Sequence, residues 1–433
     1  MFGKKSVLMT GIVMITVVAL ALPTFTHVSS ARQDDVLKIG VLTDHSGALQ
    51  IYGFEQTQGF HLGLEYATGG TMEVAGRKIE VVEADNGSDI DTANSQVREL
   101  IEQEGVEILQ GSASSTVTLA VQQAAAEYEM VLMAGPAASP AITGDSFNEY
   151  TFRACRNSFQ DSYTMGSYAI EAFGPNYVQL AVDNAFGSTS AAAFDFVLQG
   201  LGGTPAQDTI LVAADTTDFT DPLEQVRASG ADFWILTWAG AGTVELTQQI
   251  ATLGINDDVP AMPVWNSDAI MVPSFSDPTL ADYFMDTIGF TTYQYTLPGQ
   301  DPDNPNPEVN EWLVENHKAE YEGTFPGLFT ECGFASAQAL VAALEITEGS
   351  TDPADLIPAL EGLEWAGPKG LYHMRAEDHQ VLVPMYIAKV VNTDDPEYKF
   401  YEWVATISPE DTTPPCLAPG RSSDTVTCPP AAQ

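Results

Sequence analysis

The sequence predicts an α/β protein built as two similar units in tandem, each a parallel sheet covered by helices. Three observations carry this. From Val36 onward short β-branched runs alternate with longer segments of helical period. The alternation breaks and then restarts at Tyr177. The chain of 433 residues is long enough for two or three domains, each burying its own core, and its 45% hydrophobic and 17% charged content is that of a globular protein.

In the first unit, Leu37 to Thr43 reads as a strand and Gln56 to Ala67 as the helix after it. Lys78 to Glu83 and Val106 to Gln110 read as strands followed by helices over Asp91 to Gln103 and Ser115 to Tyr128, with a fourth strand at Met130 to Ala134. In the second unit the strands fall at Tyr177 to Val182, Thr209 to Val212 and Phe233 to Thr237, and the helices at Ser188 to Gln199, Pro222 to Ala228 and Thr243 to Leu253. A polar, Pro-rich insert (Pro298 to Pro307) precedes helical stretches at Glu308 to Glu322 and Cys332 to Thr347. Val383 to Val391 and Lys399 to Val404 suggest an added hairpin, and residues 408–433, rich in Pro, Thr and Ser, a surface tail.

Residues 1–31 have the pattern of an export signal: Lys4 and Lys5, an apolar run from Val7 to Leu22, and Ser29-Ser30-Ala31 before the expected cut. A retained anchor is the alternative reading, since the run is only just shorter than a bilayer requires. No cysteine near the cut would accept a lipid. The location this implies is periplasmic or otherwise extracytoplasmic.

Lys and Arg number 16 against 59 Asp and Glu, a net charge of −43. Such a field repels nucleic acid and anionic lipid. The acids are spread along the chain, which fits a solvated, salt-adapted surface better than a pocket for cations. Four cysteines in an exported chain point to oxidation, and three pairings are possible. Cys416 and Cys428 would close a short loop in a tail without a core, which leaves Cys155 for Cys332.

In open parallel sheets, ligands sit beyond the carboxyl ends of the strands. Gly111 to Thr116 follows the third strand and opens a helix, whose free N–H groups and the hydroxyls of Ser115 and Thr116 could hold a carboxylate; the plainer reading is that Ser115 or Thr116 caps the helix. Gly135 to Pro140 offers carbonyls and the Ser139 hydroxyl, or is simply a Pro-bounded turn. Trp238-Ala239-Gly240-Ala241-Gly242 lacks the third glycine of a dinucleotide fingerprint and reads as a close-approach loop. There is no Gly-x-Ser-x-Gly, His-Glu-x-x-His, Walker loop or Cys-x-x-Cys, so neither an enzyme nor a cofactor is expected. His373 and His379 are six residues apart, not a usual helical spacing for metal ligands, and read as surface residues; no metal site is expected.

Ile39-Gly40-Val41-Leu42 with Ser46 to Gly53, the Ser114-Ser115 loop, Pro136-Ala137-Ala138-Ser139, Phe152-Arg153 leading to Gln160-Asp161, and Gly367-Pro368-Lys369-Gly370 together resemble one family. It is the substrate-binding proteins of branched-chain amino acid ABC transporters, of the type I periplasmic binding class, and the likeness runs from about Leu37 to Val404. The resemblance implies two Rossmann-like lobes joined by three crossing segments that close on a ligand, near Ala154 to Asn157, Tyr293 to Thr296 and Leu363 to Gly367. The N-terminal lobe would comprise residues 32–155 and 295–364, and the C-terminal lobe 156–294 and 365–407. Cys155 and Cys332 would lie beside crossings.

By the same resemblance, Ser115, Thr116 and Ala137 to Ser139 would bind an amino acid's carboxylate and ammonium from the first lobe. Tyr52, Phe186 and Trp238 would wall the pocket, and Asn266 or Asp268 would complete the ammonium site. Asp268, the only carboxylate near that loop's tip, is favoured. Phe186 departs from a common tyrosine and removes a hydroxyl. The implied function is solute capture for an uptake transporter, with a permease and its ATPase as partners and a branched-chain or other apolar amino acid, or a related small molecule, as ligand. A sensory protein of the same fold is the rival reading; a secreted hydrolase is disfavoured by the missing nucleophile motifs.

Overall fold

The computed structural model describes residues 36–430 together with Gly3. The export signal expected over residues 1–31 otherwise lies outside the described residues. No helix among the described residues is long and apolar enough to cross a membrane.

Six strands, β1 (Val36–Thr43), β2 (Glu73–Val74), β3 (Arg77–Asp85), β4 (Ile108–Gly111), β5 (Leu132–Ala134) and β6 (Thr151–Arg153), form the first sheet. Their order is β2-β3-β1-β4-β5-β6, parallel except for the β2–β3 hairpin. β1 is apolar almost throughout because helices cover both its faces. On one side Leu37, Ile39 and Val41 pack with Phe60 and Leu64 of α1 (Gln50–Ala67) and with Leu340 and Leu344 of the Thr330–Ile346 helix. On the other, Leu42 and Leu109 pack with Val97 of α2 (Ile90–Glu99) and Val117 and Val121 of α3 (Ser115–Glu127). α1 carries glycine mid-helix, where it ordinarily weakens a helix, because its neighbour is so close: a Cβ on Gly59 would fall 1.9 Å from the Thr330 carbonyl oxygen.

The second sheet is parallel and centred on β7 (Asn176–Val182), flanked by β8 (Thr204–Pro205), β9 (Ile210–Val212) and β10 (Phe233–Thr237). Helices α4 (Ser158–Phe173) and α5 (Ala185–Gly200) contribute Met165, Ala169, Phe194 and Leu198 to its core. The sheet continues beyond β10. Ala261 bridges Trp234, and Val264 bridges Phe290 of β11 (Ile288–Thr291).

β12 (Glu364–Gly367), β13 (Gly370–Met374) and β14 (Val381–Leu382) form a small antiparallel sheet. β15 (Met385–Val390) and β16 (Tyr401–Ile407) are the expected hairpin, added to β11. The chain passes from the first sheet to the second through residues 154–157. It returns after β11 through residues 292–296, where Tyr293 and Tyr295 pack on Leu62 of α1.

The third passage lies at residues 383–384, between β14 and β15, and not at Leu363 to Gly367. Trp365, Tyr372, Met374, Val381 and Val383 are buried in the first lobe's core, so residues 365–383 fold with that lobe. Gln380 joins this strand to the first passage: its Nε2 donates to the Cys155 carbonyl (2.8 Å), and its Oε1 accepts from Arg153 Nε (2.7 Å).

The tail expected to run over the surface is partly packed. Thr412 and Ala418 are fully buried, Arg375 Nη1 donates to the Pro414 carbonyl, and Cys416 is joined to Cys428. His379, read as a surface residue, is also buried, stacked on Phe152 with its ring nitrogens against the Thr151 carbonyl and Glu361. An aromatic partner and two polar partners allow an imidazole to leave water. His373 is part-exposed beside Glu364.

Candidate functional site

The loops after β4 and β5 face those after β7 and β10 across a cavity of about 130 Å³, at the strand ends where the parallel topology gathers its loops. Ser114, not Ser115 or Thr116, caps α3: its Oγ accepts from the Val117 amide at 3.3 Å. That leaves Ser115 and Thr116 on the cavity wall, with the Ser115 Oγ accepting from the Ser139 amide (3.2 Å). The loop after β5 is held from behind by Arg153, which donates to the carbonyls of Ala137 (3.1 Å) and Ser139 (2.7 Å).

Tyr52, on the first turn of α1, is buried, and its hydroxyl reaches across the cleft. It donates to Asn266 Oδ1 (2.8 Å) and accepts from the Gly240 amide (3.3 Å). Burial pushes the phenol up to about 12, so it stays a donor at any physiological pH. The Ala241 amide donates to the Ala48 carbonyl beside it (2.9 Å). The two lobes therefore touch through specific polar contacts over the cavity.

From the second lobe, Phe186 stands at the start of α5, whose cap is Asn184, and Trp238 follows β10, edge-on to Phe219. Tyr52, Ser115, Thr116, Ala138, Phe186, Trp238 and Asn266 thus share one cavity wall. Ala137, Ser139 and Asp268 are not on it. The Ser139 hydroxyl accepts from Thr189 (2.9 Å) and caps the Pro140–Thr143 turn. Asp268 opens the Asp268–Phe275 helix and faces Gln294 Nε2 at 3.3 Å.

Two residues not singled out in the sequence, Arg156 and Phe329, also line the wall, as does Asp161 of the Gln160-Asp161 pair. Arg156 Nη1 donates to the Pro136 carbonyl (3.2 Å), and its guanidinium lies 5.2 Å over the Phe329 ring. Burial holds the Asp161 carboxyl above its ordinary range in spite of Arg156 beside it. Cys155, next to Arg156, is joined to Cys332 with the Cα atoms 5.2 Å apart. The sulfurs leave Gly135 no room for a side chain, since a Cβ there would lie 2.3 Å from the Cys155 Sγ. Among the described residues no group of three or more His, Cys, Asp or Glu is placed to hold a metal ion.

The family model described as periplasmic binding protein matches residues 36–395. The Leu/Ile/Val-binding protein homolog 6 of Brucella suis is 24% identical over 389 residues, 87% of this chain and 93% of that protein. Among solved structures, an ABC-type branched-chain amino acid transporter of Rhodopseudomonas palustris CGA009 is 33% identical with a TM-score of 0.71, over 88% of this chain and 99% of that one. A solute-binding protein of Rhodopseudomonas palustris BisB5 in complex with 3,4-dihydroxybenzoic acid shares the fold at 22% identity and a TM-score of 0.73, over 87% and 98% of the two chains.

Proposed function

This chain belongs to the periplasmic binding protein family, and on that premise we propose that it is the periplasmic solute-binding component of an ABC uptake transporter. It captures an amino acid or a related small organic molecule between its lobes and presents the closed form to a permease and its ATPase. The observation that carries this reading is the aromatic-walled cavity spanned by the Tyr52 hydroxyl, which ties α1 to Asn266 and Gly240 of the facing lobe. A cleft whose two walls bond to each other only when together is suited to hinge closure.

The relatives support the reading at the level of ligand size and class. One is an ABC-type branched-chain amino acid transporter and another holds a dihydroxybenzoic acid. The test is mass spectrometry of the molecule that co-purifies with exported protein, followed by small-angle scattering with that molecule removed and restored. A more compact profile on restoration is expected; an unchanged profile at saturation, or no bound molecule, would overturn the proposal.

A further inference from the structure

Resting on that reading, we infer that the cleft takes a small monocarboxylate with a planar apolar body and no ammonium group, anchored by Arg156. The chain has only 16 Lys and Arg against 59 acids, yet two buried cations, Arg153 and Lys369, and the half-buried Arg156 cluster at the first passage beside the cavity. Two carboxylates face them. Lys369 Nζ is 3.8 Å from Glu331, and Arg156 Nε is 3.4 Å from Asp161. Among the described residues Arg153 has no carboxylate within ion-pair distance; its donors go to Gln380, the carbonyls of Ala137 and Ser139, and Thr143. Counted as fully ionised, the cluster has one positive charge in excess, a costly state in a buried site unless an anion completes it.

Arg156 is the member that reaches the cavity. It is 11% exposed; Nη1 is taken by the Pro136 carbonyl, and its other terminal amino group has no hydrogen-bond partner among the described residues. A ligand carboxylate there meets a guanidinium already fixed by Pro136 and Phe329.

The wall offers an ammonium group nothing equivalent. Among the described residues Asp161 is its only carboxylate and already faces Arg156. Asn266 Oδ1 accepts from both Tyr52 and the Ser267 amide. Glu55 and Asp268 lie off the wall, with Glu55 engaged by the Ser267 hydroxyl and the Phe329 amide. Tyr52, Phe186, Trp238 and Phe329 supply flat apolar surface for the ligand's body.

The experiment is calorimetric titration of ligand-stripped protein with benzoate, 3-phenylpropionate, L-phenylalanine and L-leucine. The middle two differ only by the ammonium group. Benzoate or 3-phenylpropionate should bind at least about tenfold more tightly than either amino acid. Arg156→Gln should weaken the aromatic acid at least about tenfold, and Arg156→Lys less. Should L-phenylalanine match or exceed 3-phenylpropionate, or should neither aromatic acid bind, the inference is overturned, while compaction by the co-purified molecule would leave the solute-capture reading standing. Unchanged benzoate affinity in an Arg156→Gln protein with wild-type melting would likewise overturn the role of Arg156; if that variant fails to fold, the wild-type comparison and Arg156→Lys still decide.

Discussion

At the start of the Asp268–Phe275 helix, burial holds the Asp268 carboxyl up at about 8, and the Gln294 amide offsets only part of that. The folded state therefore binds a proton that the unfolded chain, with a carboxyl near 3.8, gives up. Stability from this group is complete below pH 3.8 and is lost as pH rises through about 8. We expect Asp268→Asn to remove that loss and raise the melting temperature relative to wild type at pH 9, by an effect on the order of a few kcal/mol. Ligand affinity should stay within about twofold, since Asp268 is off the cavity wall. A large loss of affinity would make it a ligand partner after all. Tyr52→Phe tests the facing contact. Losing its bonds to Asn266 and Gly240 should weaken closure by roughly 1 to 2 kcal/mol, seen as about a tenfold weaker affinity for the co-purified molecule with little change in thermal stability.

At the scale of elements, the Thr330–Ile346 helix is fixed twice, by its close crossing with α1 and by the bond from Cys332 to Cys155 in the first passage. The bond closes a loop with a sequence separation of 177. In the chain-entropy picture a cross-link of that span stabilises by roughly 5 kcal/mol. Replacing both cysteines by serine should lower the urea midpoint clearly; an unchanged midpoint, with thiol titration showing reduced cysteines in wild type, would remove the tie.

Most strands of both parallel sheets were legible because their apolar runs are bounded by turn residues, and β10 falls where the pattern places it, at Phe233–Thr237. The Asp268–Phe275 helix was not, since it contains Pro273 and is apolar on nearly all sides, which erases the helical period. Leu363 to Gly367 was expected as a crossing between lobes, but Glu364–Gly367 is the first strand of the β12–β13 hairpin, and only the burial of Trp365, Tyr372 and Met374 reveals which core it serves. Seven of the ten residues expected at the site share the cavity wall. Arg156 was missed because no motif marks it; the available signal was an arginine standing in an expected crossing of a chain poor in basic residues.

For the whole molecule, a net charge of −43 makes self-repulsion a term in stability. Salt shortens the screening length from about 10 Å at 0.1 M to about 3 Å at 1 M. The melting temperature should therefore rise between those sodium chloride concentrations, and a flat or falling trend would show that the acids are already offset in the folded state.

The clasp made by Gln380 has a mechanical consequence. Of three strands of chain between the lobes, the first and third are fastened side by side by this amide together with the bonds from the Arg153 amide to the His379 carbonyl (2.9 Å) and from Gln160 Nε2 to the Val381 carbonyl (3.3 Å), so they behave as a single broad strap and not as two separate cords. Such a strap bends readily about one axis and resists torsion about the others. Closure as proposed above would then be one easy swing, and a ligand would leave through the same mouth by which it entered.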